Sequence, residues 1–367
     1  MPYCASRCGY CDFNTYTPAQ LGAAPGTSPA DYLAAARAEL DLAARTLGAG
    51  VEVATVFFGG GTPTVLAAAE LAGLLDAIRE LGLAADAEVT TEANPETLSP
   101  AYLEALVAAG FTRLSLGMQS AVGSVLATLG RRHSPGRVAE TVAWARTAGF
   151  ASVSVDLIYA SPGESLSDWR TSLDAAVELG VDHVSAYTLT IEPGTPLGRR
   201  AARGELEPAG DDVQAEFYAL ADQVLADAGY RWYEVSNWAR PGQECRHNLA
   251  YWRSADWWGI GPGAHSHVAG LRWWNVRHPR DYVARLALGR CPAAGGELLD
   301  DEQRHAERVL LELRLVDGLD VARLTASERA RLPGFAAGGL AVLGDGRVRL
   351  TLAGRLLADA LVRDLLD

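Results

Sequence analysis

The sequence predicts a partial (β/α)6 barrel of largely parallel strands, followed by a small C-terminal helical, winged-helix-like module. Three observations carry this. From Val51 to Tyr187 short apolar runs alternate with amphipathic stretches, the pattern of repeated strand-helix units in a parallel sheet. The pattern breaks after Gly242, where Gly, Trp and His dominate without a period, as in packed loops at a functional rim. Beyond Arg280 come two or three helices and a hairpin. The 367 residues, 49% hydrophobic and 21% charged, can bury a large core and exclude disorder as the dominant state.

The strands are expected in VATVFFGG from Val53, EVTTEAN from Glu88, RLSLGMQS from Arg113, ASVSVDLIY from Ala151 and HVSAYTLT from His183. Most read as apolar nearly throughout, as strands covered on both faces do. Between them Leu71, Leu74, Leu75, Ile78 and Leu81 recur at helical spacing, and so do Val213, Phe217, Leu220, Val224 and Leu225. YRWYEVSNWA from Tyr230 reads as one more strand. In LAVLGDGRVRLT the pair Asp345-Gly346 signals a hairpin turn, and a last helix is expected to carry Leu352, Leu356, Ala360 and Leu361 inward. Pro18 to Pro29 reads as an exposed loop. The domain boundaries expected are 1–230 for the barrel, 231–290 for the rim and 291–367 for the C-terminal module.

Charge and cysteine content narrow the function. Every one of the 32 basic side chains is an Arg, and 45 acidic residues give a net charge of −13, which argues against a phosphate-tracking nucleic-acid binder and against a basic patch on anionic lipid. No run of 18 apolar residues and no signal-peptide core occurs, so the expectation is a cytoplasmic protein without membrane insertion. In that reducing compartment the five cysteines are thiols or metal ligands. Cys4, Cys8 and Cys11 form C-x3-C-x2-C, and Phe13 stands where a fourth thiolate might have come. Three thiolates on one short loop suit a soft metal site: an iron–sulfur cubane with one open iron, or a zinc completed by distant Cys245 or Cys291, or three free thiols.

CASRCGYCDF resembles the signature loop of the radical S-adenosylmethionine (SAM) superfamily, and GGGTPT at Gly59–Thr64 resembles its second motif. The resemblance implies a radical SAM barrel, a [4Fe–4S] cluster on Cys4, Cys8 and Cys11, and SAM chelating the open iron. In that superfamily one electron from the cluster breaks the sulfonium into methionine and a 5′-deoxyadenosyl radical. Glycines at 59 to 61, among them Gly60 and Gly61, would let the backbone approach a ligand, with Thr62 adding a hydroxyl. The likeness extends over nearly the whole chain to the coproporphyrinogen-oxidase-like branch. It implies Glu92, Gln119, Arg131 and Asp156 as SAM contacts, with Tyr10 contributing its backbone. Carboxylates would accept from the ammonium or ribose, and the Arg would pair with the carboxylate of SAM. The bland alternative for each is a polar residue at a strand end; for Arg131 it is a solvated charge, and adjacent Arg132 could take its place.

Two features separate activities within the branch. The decarboxylating oxidases carry a fourth cysteine where this chain has Phe13, and RHNLAYW, Arg246–Trp252, resembles the H-N-x-x-Y-W motif of the HemW group of haem chaperones. That implies haem as a further cofactor, His247 as axial ligand with Tyr251 and Trp252 supporting, and acceptor haemoproteins as partners. The alternative function is oxygen-independent oxidative decarboxylation of coproporphyrinogen III, and His247 could instead satisfy a carbonyl in a packed loop. Cys245, His265 and His267 are further candidates near the same pocket. Trp257, Trp258, Trp273 and Trp274 read as packing, Cys291 as structural. A homodimer and peripheral contact with a membrane-bound acceptor are left open. Family members have an apolar strand before the first cysteine, whereas Cys4 follows Met1 by three residues. The expectation is a true start further upstream; otherwise the loop would fray and one SAM contact would be missing.

Overall fold

The computed structural model describes residues 1–22, 24–131 and 135–367. Arg132 lies outside them. In chain order the elements begin with α1 (Pro18–Leu21), α2 (Pro29–Leu47), β1 (Val53–Phe58), α3 (Ala68–Gly82), β2 (Leu83–Ala93), α4 (Pro100–Ala109) and β3 (Arg113–Gln119). Next come α5 (Gly123–Leu129), α6 (Pro135–Ala148), β4 (Ser152–Tyr159), α7 (Leu166–Glu178), β5 (His183–Thr188), α8 (Pro196–Ala202) and α9 (Asp211–Asp227). Then follow β6 (Arg231–Glu234), β7 (Asn237–Ala239), α10 (Arg246–Trp252), β8 (His265–Val268), β9 (Leu271–Asn275), α11 (Pro279–Ala287) and β10 (Ala293–Leu298). The chain closes with α12 (Asp301–Glu312), β11 (Leu319–Asp320), α13 (Ala326–Ala337), β12 (Ala341–Gly344), β13 (Arg347–Leu350), α14 (Leu352–Leu356) and α15 (Ala358–Leu366).

The first seven strands form one curled half-barrel sheet in the order β1-β2-β3-β4-β5-β7-β6. The β1 to β5 pairs are parallel, as the alternating pattern predicts. The last step differs from expectation. YRWYEVSNWA is not one strand but a tight antiparallel hairpin, β6 to β7, and β7 runs antiparallel to β5. Val235 and Ser236 turn the chain, and the Glu234 carboxyl that accepts from Ser236 and Asn237 holds that turn.

The strands also alternate more strictly than the apolar reading allowed. In β3 Leu114 and Leu116 are buried against helices while Arg113, Ser115 and Gly117 face inward; in β4 Val153, Val155 and Leu157 pack outward, and Ser154 and Asp156 face in. A period of two has one apolar and one polar face. The barrel's outer layer is the hydrophobic core, completed by Leu71, Leu74 and Leu75 of α3, Leu103 and Leu106 of α4, Trp169 and Leu173 of α7, and Phe217 and Leu225 of α9. Val213, in the first turn of α9, is exposed.

Three other expectations are corrected. The segment after Pro18 contains the short α1, and the 19-residue α2 follows, started by Ser28, whose hydroxyl accepts from Asp31 N–H, and by Pro29 in its first turn. The Gly242–Asn275 region is not only loops: α10 and the β8-β9 hairpin form there, the latter turning at Ala269 (φ 51°) and Gly270 (φ 84°). The final helix breaks at Leu357, so Leu352, Leu356 and Ala360 face solvent and Leu361, Val362 and Leu365 point inward. The hairpin at Asp345-Gly346 forms as predicted, with φ of 53° and 71° at its two corners. Around it β11-β13-β12 and α12, α13 and α15 enclose a second apolar core. No helix among the described residues is long and apolar enough to cross a membrane.

Candidate functional site at the open end of the barrel

A cavity of about 520 Å³ occupies the barrel interior. Cys4, Cys8 and Cys11 line it together with Tyr10, Gly60, Gly61, Thr62, Glu92, Gln119, Arg131 and Asp156. Residues separated by more than 150 positions in sequence therefore face one space, most of them at the C-terminal ends of parallel strands, where such folds carry ligands.

The cysteine loop is tied down on both sides. Gly61 N–H donates to Met1 C=O (2.8 Å) and Thr62 N–H to Tyr3 C=O (2.7 Å), while Cys4 N–H donates to Tyr16 C=O (3.0 Å). Gly9 N–H bonds Leu129 C=O and Gly9 C=O receives Leu197 N–H. These bonds answer the expectation of a fraying loop. They also revise the role of two of the glycines: a Cβ on Gly60 would sit 3.0 Å from the Met1 carbonyl oxygen and one on Gly61 2.3 Å from that of Tyr3, so both are bare where the cysteine segment lies on them. The three half-buried thiols border the cavity without closing on it, and no three His, Cys, Asp or Glu side chains among the described residues are placed to hold a single metal ion.

Charge around the thiols is arranged for a polar ligand. Arg131 Nη1 stands 3.4 Å from Cys8 Sγ and its Nη2 donates to Gly117 C=O at 2.6 Å, while its buried Nε has no partner among the described residues. A Cβ on Gly117 would meet that guanidinium at 2.7 Å, so a side chain there would push Arg131 from its place. Glu92 accepts from Gly60 N–H (3.1 Å), and burial, reinforced by nearby Asp156, pushes its carboxyl up to about 8. Burial raises Asp156 as well, against the hydroxyls of Ser185 and Ser115. Burial disfavours the charge on both carboxyls, and a cationic ligand entering beside them would favour their ionised forms. Gln119 adopts φ 63°, a left-handed conformation that ends β3 and turns its side chain to the cavity. The donor set fits a SAM-type ligand: acidic acceptors for an ammonium or hydroxyls, an Arg with an orphaned N–H for a carboxylate, and thiols for a cluster.

The rim motif lies on α10 beneath this site. Glu88 of β2 accepts from Arg246 N–H and His247 N–H, both at 3.0 Å, and from Cys245 Sγ at 3.4 Å, anchoring the helix start. Asn248 and Trp252 direct their side chains to Glu234. Cys245 and Asn248 border the cavity; His247 faces β1 instead, stacked on Phe57 with ring centroids 5.1 Å apart. Its Nδ1 pairs with Thr55 Oγ1 (2.9 Å) and its Nε2 with the Tyr251 hydroxyl (3.2 Å), and burial pulls its pKa down to about 4. Burial pushes the Cys245 thiol up to about 12. His265 is exposed and stacked on Trp274, His267 packs on Trp257, and Cys291 is an exposed thiol, not a buried structural one. Neither His265 nor His267 borders the cavity.

Sequence reasoning missed Asn94, whose Nδ2 donates to Thr62 Oγ1 (2.9 Å), and the polar inner face formed by Arg113, Ser115, Ser154, His183 and Ser185. The alternate-residue polarity of β3, β4 and β5 was the signal for the latter.

A sequence model of the radical SAM superfamily matches residues 1–176. The heme chaperone HemW of Mycobacterium tuberculosis (strain H37Rv) is 56% identical over 367 residues, covering 100% of this chain and 93% of that protein. HemW of Bacillus subtilis is 33% identical over 370 residues, 98% of this chain and 96% of that protein. The structure of coproporphyrinogen III oxidase HemN from Escherichia coli, a radical SAM enzyme, superposes with a TM-score of 0.83 at 24% identity, over 100% of this chain and 87% of that one.

Proposed function

Because this chain belongs to the radical SAM superfamily and, within it, to the HemW family, we propose that it works as a haem chaperone of that kind. On this reading it holds a [4Fe–4S] cluster on Cys4, Cys8 and Cys11, binds SAM beside it, binds haem, and delivers haem to acceptor haemoproteins in the cytoplasm. The observation that carries the cofactor part is the convergence of the three thiols with Glu92, Gln119, Arg131 and Asp156 on one cavity. When bound, the cluster and SAM would supply one-electron chemistry there.

The chain's own residues do the holding. Thr62 Oγ1, 3.8 Å from Cys4 Sγ and anchored by Asn94, supports the first cysteine, and Arg131 places positive charge against the second. The free Nε of Arg131 and the carboxyls of Glu92 and Asp156 would orient the two ends of the amino acid portion of SAM. Phe13, 58% exposed at the mouth, supplies no thiolate where the decarboxylating enzymes have one, which favours the chaperone over the oxidase. For haem, His247 would exchange its Thr55 or Tyr251 partner for iron, and its neutral imidazole, kept so by burial, is the ligating form.

Haem titration of the anaerobically reconstituted protein beside His247→Ala tests the reading. Haem binding by the parent chain and at least tenfold weaker binding with a changed Soret spectrum in the variant are expected. Unchanged affinity and spectrum remove His247 from the role; stoichiometric vinyl product from coproporphyrinogen III would establish the oxidase instead. Zinc without sulfide on reconstitution would reject the cluster.

A further inference from the structure

Below the residues that face the thiols, the barrel interior continues to a floor built from the first residues of its strands. Barrels of this general kind fill that space with Val, Ile and Leu. Here it holds Arg113 of β3, Ser154 of β4 and His183 of β5, all bordering the same cavity. The register pairs Arg113 with Thr90 and Ser152, and pairs Ser154, two residues further along β4, with His183.

Arg113 is only 3% exposed. Its Nη1 donates to Ser152 Oγ (2.8 Å) and to Gln243 C=O (3.2 Å), both neutral acceptors, and none of the carboxylates among the described residues forms an ion pair with it. The Nε–Nη2 edge of the guanidinium has no acceptor among the described residues. A buried cation without a counter-charge is costly. None of the groups hydrogen-bonded to it among the described residues supplies one. His183 is locked between Ser154 Oγ and the Tyr233 hydroxyl, each 2.8 Å away, and its burial beside the guanidinium keeps it neutral. The Asp156 carboxyl, also in the cavity, is hydrogen-bonded by Ser115; burial raises it, and although the Arg113 charge acts against that rise, the two groups make no direct ion pair. A second orphan stands next to Arg113 in the sheet: Thr90, fully buried and directly paired with it, has a hydroxyl with no partner among the described residues.

We infer that the barrel floor is a carboxylate-binding subsite, in which the free Nε–Nη2 edge of Arg113 grips both oxygens of an organic acid. That edge presents two parallel N–H groups at the spacing of a carboxylate, the geometry in which Arg binds this group most tightly. The Ser154 hydroxyl lies on the same wall, and the rest of such a ligand would extend up the cavity toward the thiols. The chain would thereby hold a carboxylate-bearing small molecule in its barrel in addition to the cofactors at the mouth. The inference goes beyond the haem-chaperone reading and does not rest on it, since neither haem nor His247 takes part.

Acetate is the probe, observed by saturation-transfer NMR on the reconstituted full-length protein at constant ionic strength, with chloride as background. A saturable acetate signal is expected, weakened about tenfold or more in Arg113→Gln. Iron content and SAM affinity should stay at parental levels, which separates this result from loss of the mouth site. Arg113→Lys keeps the charge but not the two-nitrogen edge and should also weaken acetate; it serves as the test if the Gln variant does not fold. No saturable acetate signal in the parent, equal acetate binding by Arg113→Lys or Arg113→Gln, or sulfate competing as well as propionate for the acetate signal would each overturn the assignment.

Discussion

Gly61→Ala should loosen the cysteine loop although it adds one methyl group and touches no thiol. The new Cβ would lie 2.3 Å from the Tyr3 carbonyl oxygen, 3.0 Å from its carbon and 3.1 Å from the Met1 carbonyl oxygen. All three are backbone atoms, so no side chain can rotate away and the segment carrying Cys4 must shift. The bonds placed at risk are Gly61 N–H to Met1 C=O and Thr62 N–H to Tyr3 C=O. At about 0.5–1.5 kcal/mol each, their loss amounts to about 1–3 kcal/mol. That is roughly a 5- to 150-fold shift from docked toward undocked loop, at about 1.4 kcal/mol per decade. Iron and acid-labile sulfide per chain after anaerobic reconstitution and a timed chelator challenge report the loss, and hydrogen exchange at the Thr62 amide reports the undocking. Gly123→Ala is the control, because a Cβ there meets nothing within 4 Å. Full iron retention together with unchanged Thr62 protection in Gly61→Ala would refute the reasoning.

Glu92→Gln should stabilise the cofactor-free protein at alkaline pH while weakening SAM binding. The folded carboxyl, at about 8, stays protonated while its unfolded counterpart ionises near 4.5, so stability falls as pH rises from about 4.5 to 8 and levels off above. The amide cannot ionise, and urea unfolding across that range should show the variant gaining up to several kcal/mol, since a tenfold change in proton affinity corresponds to about 1.36 kcal/mol; parallel pH profiles for the two proteins would contradict this. At the junction of α9 with the C-terminal module, Arg355 Nη1 and Nη2 bond Asp222 at 2.9 and 2.6 Å, with the guanidinium stacked on Trp232. Asp222→Ala leaves that cation unpaired and also frees Trp238 Nε1, so about 3–5 kcal/mol should be lost. Calorimetry on Asp222→Ala, Arg355→Ala and the double variant checks it: strictly additive losses would mean the pair is not coupled.

Much of this protein was legible one residue at a time. The C-x3-C-x2-C loop, the glycine triplet at a strand end and the alternation of strands with amphipathic helices are local patterns, each imposed by chemistry or periodicity within a few residues. They were sufficient for the barrel and for the family. The Asp345-Gly346 hairpin was readable for the same reason, because positive φ at two consecutive positions is a local demand. Other features depended on partners far away in sequence. The bareness of Gly61 is explained by Tyr3, and the split of YRWYEVSNWA into a hairpin by the edge that β5 offers. The bonding of His247 is set by Thr55, and that of Arg113 by Ser152 and the Gln243 carbonyl, both reached only in the closed fold. Spacing along the chain determines which face a side chain occupies; only closure of the sheet determines what stands opposite it, because that contact costs chain entropy whose compensation comes from the whole core.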